Sequence, residues 1–107
     1  MAGGNALRGI NVPKSYEGLD IAHVRANHFP GGSGVTPRKD LWPSGMSDAE
    51  LESIAQQALK NNPQLRGYDR ETGMIQARAV VNGNTVQFQI SRSTGVMRSI
   101  YPVGPWR

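Results

Sequence analysis

The strongest hydrophobic rhythm in the chain lies between residues 51 and 59. Leu51, Ile54, Ala55, Ala58 and Leu59 recur at i, i+3, i+4, i+7 and i+8, a spacing that lines apolar side chains along one stripe of an α-helix. Ser47-Asp48-Ala49-Glu50 stands just ahead of the stripe and predicts a capping box, in which hydroxyl and carboxylate each satisfy an orphan backbone N–H. Asn61-Asn62-Pro63 ends the helix. After Pro63 the period changes from helical to two. Thr85–Ser91 alternates, with Val86, Phe88 and Ile90 on one face and Thr85, Gln87, Gln89 and Ser91 on the other. Met74–Val81 runs into Asn82-Gly83, a two-residue hairpin signal. Leu65–Tyr68 and Val96–Pro102 are the expected first and last strands, with turns at 69–73 and 93–95. The pattern predicts an α+β domain, an N-terminal helical part packed on one face of a C-terminal antiparallel β-meander.

The N-terminal half is less regular. Residues 1–14 are glycine-rich and without periodicity, expected as a flexible lead-in to a single domain over 15–107. Residues 15–28 suit a short helix with Ser15 as N-cap, Glu17 and Asp20 near the positive end of its dipole, and Leu19, His23 and Ala26 on one face. Residues 29–46 carry four glycines and three prolines and predict a loop. A loop of that length in so small a domain is more often functional than not. In the last strand, strict alternation puts Met97, Ser99 and Tyr101 on one face and Val96, Arg98 and Ile100 on the other. With Ile100 under the helix, Ser99 and Tyr101 face the open side.

Composition narrows the classes. A chain of 107 residues supports one core. The absence of Cys removes disulfides, thiol nucleophiles and Cys-based zinc sites. No apolar run approaches the ~18–20 residues of a membrane span. The start, Met1-Ala2-Gly3-Gly4-Asn5, does not read as a secretory signal, so the expectation is a chain acting where it is made or a piece of a larger exported protein. Net charge is +4, and nine of the twelve bases are Arg. Residues 73–107 hold Arg78, Arg92, Arg98 and Arg107 and no acid. An arginine-rich, acid-free segment is the footprint of a polyanion partner, or simply a basic soluble surface.

The candidate chemistry starts from the only two histidines, His23 and His28, just ahead of the glycine-rich loop. A helix running through both would point them in different directions; one ending near Asn27 would let the loop turn His28 back. Two imidazoles can cleave a phosphodiester, one taking a proton from the attacking hydroxyl and one giving a proton to the leaving oxygen. Lys39 offers a cation for the charge that builds at phosphorus. Ser99 can hydrogen-bond a substrate, and the Tyr101 ring can stack a base. The competing readings are a metal-dependent nuclease using Asp20, His23 and His28, a non-catalytic basic RNA-binding module, and a purely structural fragment.

The order His23-Val24-(x3)-His28-Phe29-Pro30-Gly31-Gly32, Lys39-(x2)-Trp42-Pro43-(x3)-Ser47-Asp48, a capped helix, and Ser99-Ile100-Tyr101-Pro102 resembles the bacterial EndoU-type ribonucleases, C-terminal toxin domains of contact-dependent inhibition and other polymorphic toxin proteins. The resemblance runs from about Leu19 to Pro102. It implies an EndoU-like or pancreatic-ribonuclease-like cleft between helical and sheet lobes. It also implies metal-independent RNA cleavage, often beside uridine and with tRNA among the candidate substrates, leaving a 2′,3′-cyclic phosphate. His23, His28 and Lys39 match the family's catalytic histidines and lysine, with His28 expected as base and His23 as acid; Ser99 and Tyr101 match its substrate-holding pair. Gly31, Gly32, Arg38, Trp42 and Arg98 are the further expected substrate contacts. No cofactor is implied. A cognate immunity protein, acidic and covering the cleft, is. The toxin would be exported within a larger protein and act as a monomer in the cytoplasm of a target bacterium, without inserting in the membrane.

Overall fold

The computed structural model describes residues 9–37 and 39–107. Two helices, α1 (Ile21–His28) and α2 (Asp48–Lys60), precede four strands, β1 (Gln64–Asp69), β2 (Met74–Val81), β3 (Asn84–Ser91) and β4 (Met97–Pro102). The strands form one antiparallel sheet in the order β1-β2-β3-β4, so the fold is α+β.

α2 forms as its pattern demands. The Ser47 side chain accepts from the Glu50 N–H, and Glu50 reaches back to the Ser47 N–H. Leu51, Ile54, Ala55, Ala58 and Leu59 are all buried. They meet the core face of the sheet, where Ile75, Ala77, Ala79 and Val81 of β2 and Val86, Phe88 and Ile90 of β3 are buried in turn. The β2–β3 hairpin closes through Asn82 and Gly83, both at positive φ (51° and 78°), the twist-matched two-residue turn.

α1 is shorter than expected and starts later. Its N-cap is Asp20, whose carboxylate accepts from the His23 N–H. Residues 17–20 do not join the helix. They run beside the start of β4, with Glu17 N–H on Gly95 O, Met97 N–H on Gly18 O and Asp20 N–H on Met97 O. That short parallel bridge of Leu19 with Met97 blunts an otherwise unpaired strand edge. Ser15 therefore caps no helix; its hydroxyl donates to Glu17 instead. Residues 9–14, placed with the lead-in by composition, are not detached: Ile10 and Val12 pack on the core. Residues 1–8 lie outside the described part of the chain.

β4 departs from strict alternation. Gln89 pairs with Ser99 and Ile90 with Met97, leaving Arg98 as an extra, bulged residue. The bulge lets Met97, Ile100 and Pro102 all bury against the core while Ser99 and Tyr101 face the other way. The expected grouping of Met97 with Ser99 and Tyr101, and of Arg98 with Ile100, is thus corrected by one inserted residue. The helices also do not share one layer. α2 covers the core face, whereas α1 straddles the β4 edge, sending Val24 into the core and His28 over Ser99.

Candidate active site

α1 has little apolar surface to hold it, and polar contacts do so instead. Arg25 donates from Nε and Nη2 to Asp48 Oδ1 and from Nη2 to the Met46 carbonyl, and its guanidinium lies 4.6 Å from the centre of the Phe29 ring. These contacts tie α1 to the N-terminus of α2. The His28 carbonyl accepts from the Trp42 N–H at 2.8 Å.

Between α1, the following loop and the β3–β4 ribbon lies a cleft of about 370 Å³, lined by His23, Asn27, His28, Lys39, Asp40, Gln89, Ser99 and Tyr101. Five residues singled out from the sequence, His23, His28, Lys39, Ser99 and Tyr101, therefore stand around one space. The helix does run through both histidines. They meet because His28 shares the sheet-facing side of α1 with Val24, four residues earlier, while His23 and Asn27 form the adjoining flank. The cleft occupies the angle between those two sides.

His28 is buried, at 7% exposure. Its Nε2 lies 3.1 Å from Ser99 Oγ, and its ring stacks on Tyr101 with centroids 4.6 Å apart and planes inclined by 19°. Nδ1 is buried and has no protein partner. Burial, with smaller contributions from the Lys39 ammonium and His23, pulls the His28 pKa down from 6.5 to about 4, so the ring is neutral at pH 7. Burial likewise raises the Tyr101 phenol, with Arg78 opposing and Asp40 reinforcing the change. One face of Tyr101 is taken by His28, and the residue still lines the cleft.

His23 is oriented by Asn27. The Asn27 amide donates to the His23 carbonyl at 2.9 Å and stands 3.4 Å from His23 Nδ1. Of the two tautomers of the neutral ring, a donor facing Nδ1 favours the one that carries its proton on Nε2. Lys39 Nζ donates to the Gly34 carbonyl at 3.0 Å, and Gly34 N–H donates to the Ala26 carbonyl. A Cβ on Gly34 would collide with Asn27 Oδ1. The approach of this glycine to α1 therefore places Lys39 and leaves room for the amide that holds His23.

The expected substrate contacts divide differently. Trp42 is corrected: it is 1% exposed, donates from Nε1 to the Ile100 carbonyl at 2.9 Å and packs edge-on against Trp106, so it supports the site from behind. Gly31 and Gly32 do not line the cleft. Gly31 is exposed, and Gly32 packs so closely on the Arg25 and Ala26 carbonyls that a Cβ would clash with both. Arg98 lies on the open side of the sheet, in a neighbouring groove that shares Gln89 with the cleft. Arg38 lies outside the described residues.

Asn27, Asp40 and Gln89 line the cleft without having been singled out. Asn27 was legible as the i+4 neighbour of His23, and Asp40 as the residue after Lys39. Gln89 comes to Ser99 only through the strand register. Asp40 accepts from the Gly104 N–H at 2.9 Å, which fastens the loop to the segment after β4. Asp20, considered as a metal ligand with the two histidines, spends its carboxylate on the helix cap. Among the described residues no group of three or more His, Asp or Glu side chains is arranged to hold a metal ion, and no helix is long and apolar enough to cross a membrane.

Comparison with known proteins found no matching family model, no matching curated protein and no matching solved structure.

Proposed function

We propose that this chain is an EndoU-like, metal-independent endoribonuclease of the polymorphic-toxin type. The observation that supports it most is the single cleft bounded by two imidazoles, an ammonium group and a Ser–Tyr pair drawn from separate parts of the chain. In the proposed reaction a ribose 2′-oxygen bonds to the adjacent phosphorus and the bond from phosphorus to the 5′-oxygen breaks. His28, neutral at pH 7, takes the 2′-hydroxyl proton at Nε2 by way of the Ser99 hydroxyl, and His23, entering the step in its protonated form, delivers a proton to the departing 5′-oxygen. Lys39 offsets the negative charge gathered on the phosphoryl oxygens. The phosphate anion that docks beside Lys39 also opposes the ammonium's effect on His28 and makes it a better base in the complex than in the free protein. Ser99 orients the His28 ring and hydrogen-bonds the ribose. Lys39 in the cleft and the arginines Arg78 and Arg98 on the adjoining sheet face suit an acidic immunity protein that plugs the site.

The test is incubation of the purified chain with total RNA in EDTA, followed by analysis of fragment ends. The expected products carry 2′,3′-cyclic phosphates, and an all-deoxy oligonucleotide stays intact because it lacks the internal nucleophile. His23→Ala and His28→Ala should each lose on the order of 10²-fold or more in rate. Full activity in either variant, or equal cutting of the all-deoxy strand, overturns the mechanism. Salt-sensitive RNA binding without product leaves the chain a binding module.

A further inference from the structure

Beyond the cleft, the side of the sheet facing away from α2 stays open. It is polar and carries a register that continues straight out of the site. Tyr101 of β4 pairs with Gln87 of β3, Gln87 with Arg78 of β2, and Arg78 with Gln64 of β1. One row below, Ser99 pairs with Gln89, and Gln89 with Gln76. Both rows thus begin at cleft residues and run across the sheet. Arg78 is the only base within them. Its Nε donates to Gln87 Oε1 at 2.7 Å, and Gln87 Nε2 in turn reaches Gln76 Oε1 at 3.5 Å. That leaves the terminal guanidinium nitrogens presented from a fixed plane.

Bases outnumber acids on this face near the cleft. Arg66 shares a groove with Arg78, and Arg98 shares another with Gln89. Asp69, in the Arg98 groove, and Asp40, at the cleft, are the acids beside them. Among the described residues the one ion pair is Arg25 with Asp48, so none of the three arginines is in contact with a carboxylate. With neighbouring strands ~4.8 Å apart, Arg78 stands about 10 Å from Tyr101 along the row. That is within the reach of a strand whose scissile phosphate lies in the cleft.

We propose that this open face is a binding path for single-stranded RNA, in which Arg78, braced by Gln87, holds a phosphate flanking the scissile one while the glutamine rows meet the adjoining nucleotides. The proposal rests on the ribonuclease reading for its ligand. It goes beyond that reading in making the enzyme prefer an extended strand to a dinucleotide. A guanidinium fixed by one nitrogen and free at the others suits the two oxygens of a phosphate. Glutamine side chains supply donors and acceptors without a fixed preference for one base.

Binding of 2′-O-methyl oligoribonucleotides, which cannot be cleaved by internal attack, tests the path separately from catalysis. The affinities of a dinucleotide and a hexanucleotide are measured for the wild-type chain, Arg78→Ala and Arg78→Lys across a salt series. The wild type should bind the hexamer at least tenfold more tightly. Arg78→Ala should remove about tenfold from the hexamer and less than twofold from the dinucleotide, and should lower the salt slope by about one phosphate contact. Arg78→Lys should fall between, because it restores charge without the fork. Equal affinities for the two lengths, or equal losses on both in Arg78→Ala with an unchanged unfolding midpoint, overturn the proposal. Should total RNA be cut while Arg78 has no influence, the path falls and the ribonuclease reading stands. Should the hexamer bind through Arg78 while RNA stays uncut, the path stands and the ribonuclease reading falls.

Discussion

Burying His28 beside Lys39 has a thermodynamic consequence that can be measured without knowing any substrate. The native ring titrates at about 4 instead of 6.5, so between those values the unfolded chain binds a proton that the folded chain does not. Stability therefore rises with pH across this window. The His28 contribution to stability is fully present above pH 6.5, declines as pH falls, and is lost below about 4. At 1.36 kcal/mol per pKa unit, the change amounts to about 3 kcal/mol, a large share of the 5–15 kcal/mol typical of a domain. The carboxylates titrate in the same range, so the informative quantity is a difference. Urea unfolding is measured from pH 7.5 to 3.5 for the wild type and for His28→Gln, and the two stability curves are subtracted. The difference should change by roughly 3 kcal/mol between pH 6.5 and 4, the wild type losing more. Proton NMR of the two imidazoles identifies the one that still lacks its proton at pH 5. A flat difference curve, or two histidines both titrating near 6.5, would refute the claim that burial and Lys39 hold His28 neutral. In kinetics, kcat/KM reports the free enzyme's ionisations. With His28 as base the acid limb should lie near pH 4, and a limb near the ordinary imidazole value would reassign that role.

Two further expectations come from the backbone. Gly34→Ala should displace the Asn27 amide, loosen His23 and shift the carbonyl that holds Lys39. Its signature is a fall in kcat of at least tenfold for RNA, with thermal unfolding lowered by far less than a core cavity would cause; an active variant would show that Asn27 does not position His23. Deleting Arg98 should be tolerated, with the urea midpoint little changed, because the bulge is the one inserted residue in the β3–β4 ladder. Removing the bulge makes Met97, Ser99, Ile100, Tyr101 and Pro102 alternate regularly with their present faces kept. Loss of folding in the deletion, measured by circular dichroism and urea unfolding, would show that the bulge itself is needed for β4 to pair.

The chain's own pattern determined the elements whose stability is local or periodic. The capping box and stripe of α2 needed no partner to be read, because the cap satisfies neighbouring backbone groups and the 3.6 period names the buried face. The Asn82-Gly83 hairpin was equally legible, since both residues tolerate the positive φ that its turn requires. His23, His28, Lys39, Ser99 and Tyr101 stood out by residue type, order and family resemblance. Which of them meet was decided by contacts distant in sequence. Residues 17–20 left the helix to run beside the start of β4, a choice visible only once the edge of β4 exists. Arg98 became a bulge because burying Met97, Ile100 and Pro102 together outweighs strict alternation. Trp42, an expected substrate contact, found its indole partner on Ile100, fifty-eight positions away. Gln89 and Arg78 acquired meaning only through register, because hydrogen bonds between strands, and not neighbours along the chain, bring side chains onto one surface.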